Sequence, residues 1–314
     1  MDFRFSEDQL TLAEGVRDFL TGTHGPEVLR RLDEEGNRDP AIWQALSEMG
    51  LPGLLVPEEQ GGLGLGLLDA ALIARECGKV ALAEPLVDTA FIGVPWMRHR
   101  GQTDGLDEVA TGGRKIAPAH VINGWVADGG DEHGGAALDS IDPMRNLTAL
   151  PADADDSDHL LNLGALMSAA QLIGLGEAML DQAVEYAKIR NQFGQPIGAF
   201  QAVKHQLADG RVKVDFAAPA VWRAAQAMDD NHPHASIFVS HAKIAAADAA
   251  WAISETAIQI HGAMGYTYEV DLHFWMKRSW ALAGAWGDRA FHLKRVGDAV
   301  IGGDLPIGPQ HTFA

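Results

Sequence analysis

Two short segments of the 314-residue chain place chemically capable side chains at close spacing. The first runs Lys188-Ile189-Arg190-Asn191-Gln192-Phe193-Gly194-Gln195-Pro196-Ile197 and continues through Phe200-Gln201 to His205. A helical stretch closes on an arginine, a tight turn follows, and an aromatic lies three residues beyond the arginine. A guanidinium so placed can clamp a diphosphate through paired hydrogen bonds while the ring packs on an aromatic ligand. The same residues also fit an ordinary helix C-terminus with a cation near the negative end of the dipole. The second segment is Gln259-Ile260-His261-Gly262-Ala263-Met264-Gly265-Tyr266-Thr267-Tyr268-Glu269. Small residues directly after an apolar helix let phosphates approach backbone N–H groups. A plain glycine stop has the same composition.

Other chemistries find little support. There is no GxxxxGK[ST], no GxGxxG between strand and helix, and no HExxH. Cys77 is the only cysteine, which excludes an internal disulfide framework and cysteine-cluster metal sites. It reads as a small packed hydrophobe. The thirteen histidines are scattered. His232 and His234 flank a proline in a loop and read as surface histidines, so no metal site is expected. The run from Asp153 to Asp158 has calcium-loop acidity without the central glycine or terminal glutamate, and reads as a solvated acidic linker. With 24 Lys+Arg against 43 Asp+Glu the net charge is -19, which disfavours nucleic acid and anionic membranes as partners. Neither a signal peptide nor an uncharged apolar run long enough to span a bilayer is expected, so the chain reads as soluble and cytoplasmic.

The elements that must position the two segments are mostly helices. Ser6 with Gln9 fits a capping box, and Leu12, Val16, Phe19 and Leu20 follow at helical spacing. Further helices are expected over 40–49 and 67–80, separated by a glycine- and proline-punctuated loop. Residues 101–159 lack helical periodicity and read as a few short strands with turns. Beyond Leu160 the periodicity is helical, with Leu172, Gly176, Met179, Leu180, Ala183, Val184 and Ala187 on one stripe. Helices then run over about 201–229, 236–260 and 272–300. Short connections at Gln195–Gly198 and Asn231–Pro233 suit antiparallel neighbours in a four-helix bundle. The expected architecture is mainly α, with an N-terminal helical domain (1–100), a reduced β-rich middle segment (101–160) and a C-terminal four-helix bundle (161–314).

Taken in order, the R-x-x-F-G-x-x-I-x-x-F-Q and Q-x-x-G-x-x-G-Y-T-x-E elements resemble the acyl-CoA dehydrogenase family. Pro57-Glu58-Glu59-x-Gly61-Gly62-Leu63-Gly64 and the opening Phe5-Ser6-Glu7-Asp8-Gln9 resemble it too. The resemblance covers about residues 1–100 and 160–300. It implies a fold of N-terminal helices, a central β-domain and a C-terminal bundle, with FAD at a subunit interface. It also implies that Arg190, Phe193, Gln201, Gln259 and Gly262 touch the ADP half of a flavin seated mainly on the neighbouring subunit. The reaction it implies is α,β-dehydrogenation of an acyl-CoA thioester, in which a carboxylate removes the α-proton and the β-hydride passes to the flavin N5. An electron acceptor such as an electron-transfer flavoprotein would follow.

The chain departs from the family at telling positions. The middle segment is short and has no T-E-P or W-I-[ST] stretch to line the isoalloxazine. Counted without gaps, the usual base falls on Trp286, and the alternative base position falls on Gly164, with Ala165 at the neighbouring substrate-binding arginine. Neither Trp286 nor Gly164 can accept a proton, and Asp288 is the nearest carboxylate substitute. Ala263 replaces the second glycine of the usual pair. These departures suit one half of a heteromeric dehydrogenase whose full-length partner supplies the β-domain and the base. The Asp271-Leu272-His273 sequence resembles the actinobacterial steroid-degrading branches of the family. The alternatives are a self-sufficient homo-oligomeric enzyme using Asp288, and a non-catalytic binding protein on the same fold.

Overall fold

Ser6 opens the first helix as its spacing predicts. Its hydroxyl accepts from the Gln9 N–H at 3.1 Å while the Gln9 side chain accepts from the Ser6 N–H at 3.0 Å. The computed structural model describes residues 4–128, 135–308 and 311. After α1 (Glu7–Thr23) come α2 (Pro26–Glu35), α3 (Pro40–Glu48) and α4 (Leu67–Lys79), then α5 (Val94–His99) and α6 (Leu106–Ala110). Helix α6 is a correction to the strand-and-turn reading of residues 101–159: Leu106, Val109 and Ala110 are buried, but five residues are too few to display a helical period.

The rest of the middle segment is the small sheet expected of it. Strands β1 (Trp125–Ala127), β2 (Ala137–Leu138) and β3 (Leu147–Ala149) form an antiparallel sheet in the order β1-β3-β2, with Trp125 opposite Ala149 and Ala137 opposite Thr148. Residues 129–134 of that segment lie outside the described residues. Ion pairs hold the segment to the helices. Arg278 bonds the fully buried Asp142, Arg145 pairs with Asp88 at 3.1 Å, and Arg38 with Asp128 at 2.7 Å. The acidic run that follows is not a solvated linker throughout. Asp155 accepts from Trp96 Nε1 and from Arg100, each at 2.9 Å, and so ties α5 to the next helix. Burial opposes its charged form, yet bonds from Ser157, Trp96 and Arg100 outweigh that and hold the carboxyl down at about 2.

The bundle begins with α7 (Asp158–Ile189), capped by Ser157. This helix does contain an apolar window long enough to cross a bilayer, contrary to the sequence expectation; 89% of that window is buried by the other helices, so it is a core helix. Its contact with α4 is backbone to backbone. A Cβ on Gly174 would run into the Arg75 carbonyl, and one on Gly78 into that of Gln171, so glycine lets the two helices cross. Arg75 and Glu177 close the crossing at 2.7 Å. One continuous core therefore joins the N-terminal helices to the bundle, with a minor cluster of Ala117, Ala119 and Val126 in the middle segment.

Beyond α7, the β4 (Asn191–Gln192) and β5 (Gln195–Pro196) hairpin leads into α8 (Gln201–Asp229) and then α9 (Ala235–His261). The expected final helix is in fact two, α10 (Leu272–Gly284) and α11 (Arg289–Gly302), broken at Ala285-Trp286-Gly287-Asp288. Trp286 and Gly287 take positive φ values of 58° and 90°, which no helix continues through. Buried Lys243 of α9 donates to the Leu282 carbonyl and satisfies the end of α10 at the break.

Candidate flavin-contact end and acyl cleft

Two chain reversals leave α7 and α9 parallel, so their C-termini share one end of the bundle. The Tyr186 and His261 rings stack there, 4.3 Å apart and 27° from parallel. Tyr186 also receives the Arg190 N–H on its carbonyl at 2.9 Å. The two candidate segments are thereby brought together by side chains that spacing alone did not single out. Arg190 leaves the helix in an extended conformation. Phe193 and Gly194 then make a two-residue turn with φ of 53° and 83°, the pattern of a type I′ hairpin. Phe193 is held at its tip, 91% exposed and edge-on to Phe200 at 6.2 Å. Gln201 is the first residue of α8, and Gln259 lies in the last turn of α9. Gly262 ends α9 with φ 59° and open space where a Cβ would stand.

All five of these residues are exposed. None of the described carboxylates forms an ion pair with Arg190, although the chain carries 43 acidic residues against 24 basic ones. An exposed guanidinium without an acid, a protruding ring and an open backbone turn together fit a diphosphate and an aromatic ligand approaching from outside. This is the end at which the resemblance expects the ADP half of FAD.

The other candidate positions meet at the opposite part of α7. The indole of Trp286 lies directly on Gly164, where any Cβ would fall inside the ring. Trp286 is buried, and its left-handed backbone is clamped from two sides. Its N–H donates to Asn123 Oδ1 at 2.6 Å, and its carbonyl accepts from His292 Nε2 at 2.9 Å. A carbonyl can only accept, so Nε2 carries the proton; Nδ1 lies 3.1 Å from the Ser240 Oγ, whose single proton also faces the Ser236 carbonyl at 3.0 Å. Burial keeps that imidazole neutral, pulling it down to about 4. His120 approaches the indole at 6.1 Å from the middle segment. Asn123, His292 and Ser240 were not singled out in the sequence; the Gly-Asp pair before a helical run is the one local sign of a break there.

Asp288 caps a helix in the structure. Its carboxylate accepts the Phe291 N–H at 2.8 Å and caps α11 from an exposed position. The two positions at which the resemblance expects a base are thus an indole and the glycine beneath it, while Asp288 accepts a hydrogen bond at a helix end through Oδ1. Cys77 is buried, and burial pushes its thiol up, away from reactivity. Among the described residues no group of three or more His, Cys, Asp or Glu is arranged to hold a metal.

The N-terminal domain of the acyl-CoA dehydrogenases matches residues 6–99, and their C-terminal domain matches residues 157–301. The acyl-CoA dehydrogenase IpdE2 of Mycolicibacterium smegmatis is 33% identical over 93% of this chain and 98% of its own length. IpdE2 of Mycobacterium tuberculosis is 30% identical over 87% of this chain and 91% of its own. Among solved structures, the ChsE4-ChsE5 complex of Mycobacterium tuberculosis matches 96% of this chain and 99% of its own with a TM-score of 0.82 at 23% identity. The chain belongs to the acyl-CoA dehydrogenase family. FAD is the cofactor of that enzyme class, and the N-terminal helices and C-terminal bundle are the family's two matched domains, joined here by a reduced β-segment.

Proposed function

We propose that this chain is the subunit of a heteromeric FAD-dependent acyl-CoA dehydrogenase that completes the flavin site of a full-length partner and contributes no base of its own. The observation that carries this reading is the Trp286 indole lying on Gly164, the two positions at which the resemblance expects a base. FAD, when bound, supplies the two-electron acceptor for α,β-dehydrogenation of an acyl-CoA. This chain's part is to bind and orient: Arg190 on the diphosphate, Phe193 and Gln201 beside it, Gln259 and Gly262 offering the α9 turn. The base, the isoalloxazine seat and the acyl pocket belong to the partner. The relatives support the unlike-subunit arrangement, since one structural neighbour is the ChsE4-ChsE5 complex and another is described as the steroid ACAD Tcur3481-Tcur3483. A bulky, steroid-derived acyl-CoA is the substrate class we assign.

The test is a visible spectrum of the chain alone and after co-expression with a full-length dehydrogenase chain. The expected result is a colourless lone chain and a yellow complex whose flavin content falls at least about tenfold in Arg190→Ala, the loss of one charge-assisted contact. Asp288→Asn, which can still cap α11, should leave turnover of the complex unchanged. Flavin in the lone chain, with turnover abolished by Asp288→Asn, would establish the self-sufficient enzyme instead. No flavin with any partner would favour a binding protein.

A further inference from the structure

At the far end of α8 from Arg190, the turn into α9 and residues 305–308 after α11 line an open cavity of about 370 Å³. That volume lies within the range of small-molecule sites, roughly 300–1,000 Å³. Arg223 of α8 enters it with its guanidinium 3.8 Å from the centre of the Phe238 ring. The Arg223 Nε is shielded from solvent and has no hydrogen-bond partner among the described residues. No described carboxylate pairs with this side chain; burial alone acts on it and weakens its hold on the proton. In a chain of net charge -19, a half-buried arginine without an acid lacks its counter-ion. His232 faces the same space. Its Nδ1 accepts the His234 N–H at 3.1 Å, which leaves Nε2 as a donor. Phe238, Leu305, Pro306 and Ile307 make its apolar wall, and His234 and His311 also line it.

We propose that this cavity binds a small amphiphilic anion, a carboxylate or phosphate on an aryl or branched alkyl body. The anionic head sits on Arg223 and His232, and the body lies against Phe238, Leu305 and Ile307. The site stands apart from the flavin contacts, since α8 has 29 residues and a helix of that length spans about 43 Å. It therefore holds whether or not the chain serves a partner's flavin.

Calorimetric titration of the purified full chain with phenyl phosphate, benzoate, benzyl alcohol and inorganic phosphate tests it. Binding of either aryl anion, with benzyl alcohol and inorganic phosphate at least about tenfold weaker, is the expected result. Which aryl anion binds tells a phosphate head from a carboxylate. Arg223→Gln should weaken the aryl anion by about tenfold or more. Should that variant fail to fold, Phe238→Leu keeps the cation and should still lower the affinity for the aryl anion. Equal binding of benzyl alcohol, equal binding of inorganic phosphate, insensitivity to the variants, or no heat at millimolar probe would each overturn the proposal.

Discussion

A methyl group added at Gly164 has nowhere to go, because the indole of Trp286 already occupies its place. Gly164→Ala should therefore destabilise the chain by about 1–3 kcal/mol through overpacking. Trp286→Ala should cost about 3–5 kcal/mol, since it empties a buried aromatic site. The two changes touch the same space, so the double variant should be more stable than the sum of the single effects predicts by at least about 1 kcal/mol. Urea denaturation of the four proteins measures this, and strict additivity would mean that the ring does not rest on Gly164. The sequence disclosed that neither residue could be a base. That one covers the other depends on the positive φ of Trp286, a backbone state that residue identity does not encode for a tryptophan.

Among the elements, the small sheet of the middle segment is tied to the rest by several ion pairs. Its strands are two or three residues long, and its own core is three small side chains. Arg278→Met should cost about 3–5 kcal/mol, because Asp142 would remain fully buried without its cation. Adding Asp142→Asn should recover part of the loss; chemical denaturation of the single and double variants decides it. Long helices of strong periodicity, such as α7 and α8, were legible from their apolar stripes. The break between α10 and α11 was not, because apolar residues continue on both sides of it and only Gly287 with the Asp288 cap interrupts them. Asp155 misled for a related reason: an acidic run looks solvated until a tryptophan and an arginine from another helix reach one of its members.

For the whole molecule, buried neutral histidines link stability to pH. Burial, the main cause in each, pulls His292 and His24 down to about 4 from 6.5, with the Arg278 charge assisting at His24. Their unfolded forms take up protons first as pH falls. The stability they leave intact above about pH 6.5 is thus lost progressively toward pH 4 and changes little below it. Each contributes roughly 3 kcal/mol over that window. Urea midpoints between pH 7.5 and 4.5 should fall, and His292→Gln should flatten the fall; an unchanged slope in that variant would place the imidazole in solvent. At this scale the family and the two candidate segments were readable because each motif is contiguous. The site they form with α7 and α9 was readable only through the resemblance, since the Tyr186–His261 stack joins residues 75 positions apart.

Helix α7 carries Gly164 near one end and delivers Arg190 from the other, 26 residues away and about 39 Å along one uninterrupted rod. A lever of that kind cannot be shortened, rotated or bent at its Gly164 end without displacing its Arg190 end, since each residue inserted or deleted turns the tip by about 100°. Filling the cleft from a neighbouring turn leaves the lever untouched. The length and phase of α7 are thus one constraint, shared by the Trp286–Gly164 contact and the Arg190 turn. It implies that substitutions between Gly164 and Arg190 will be tolerated far more readily than any change in the number of residues separating them.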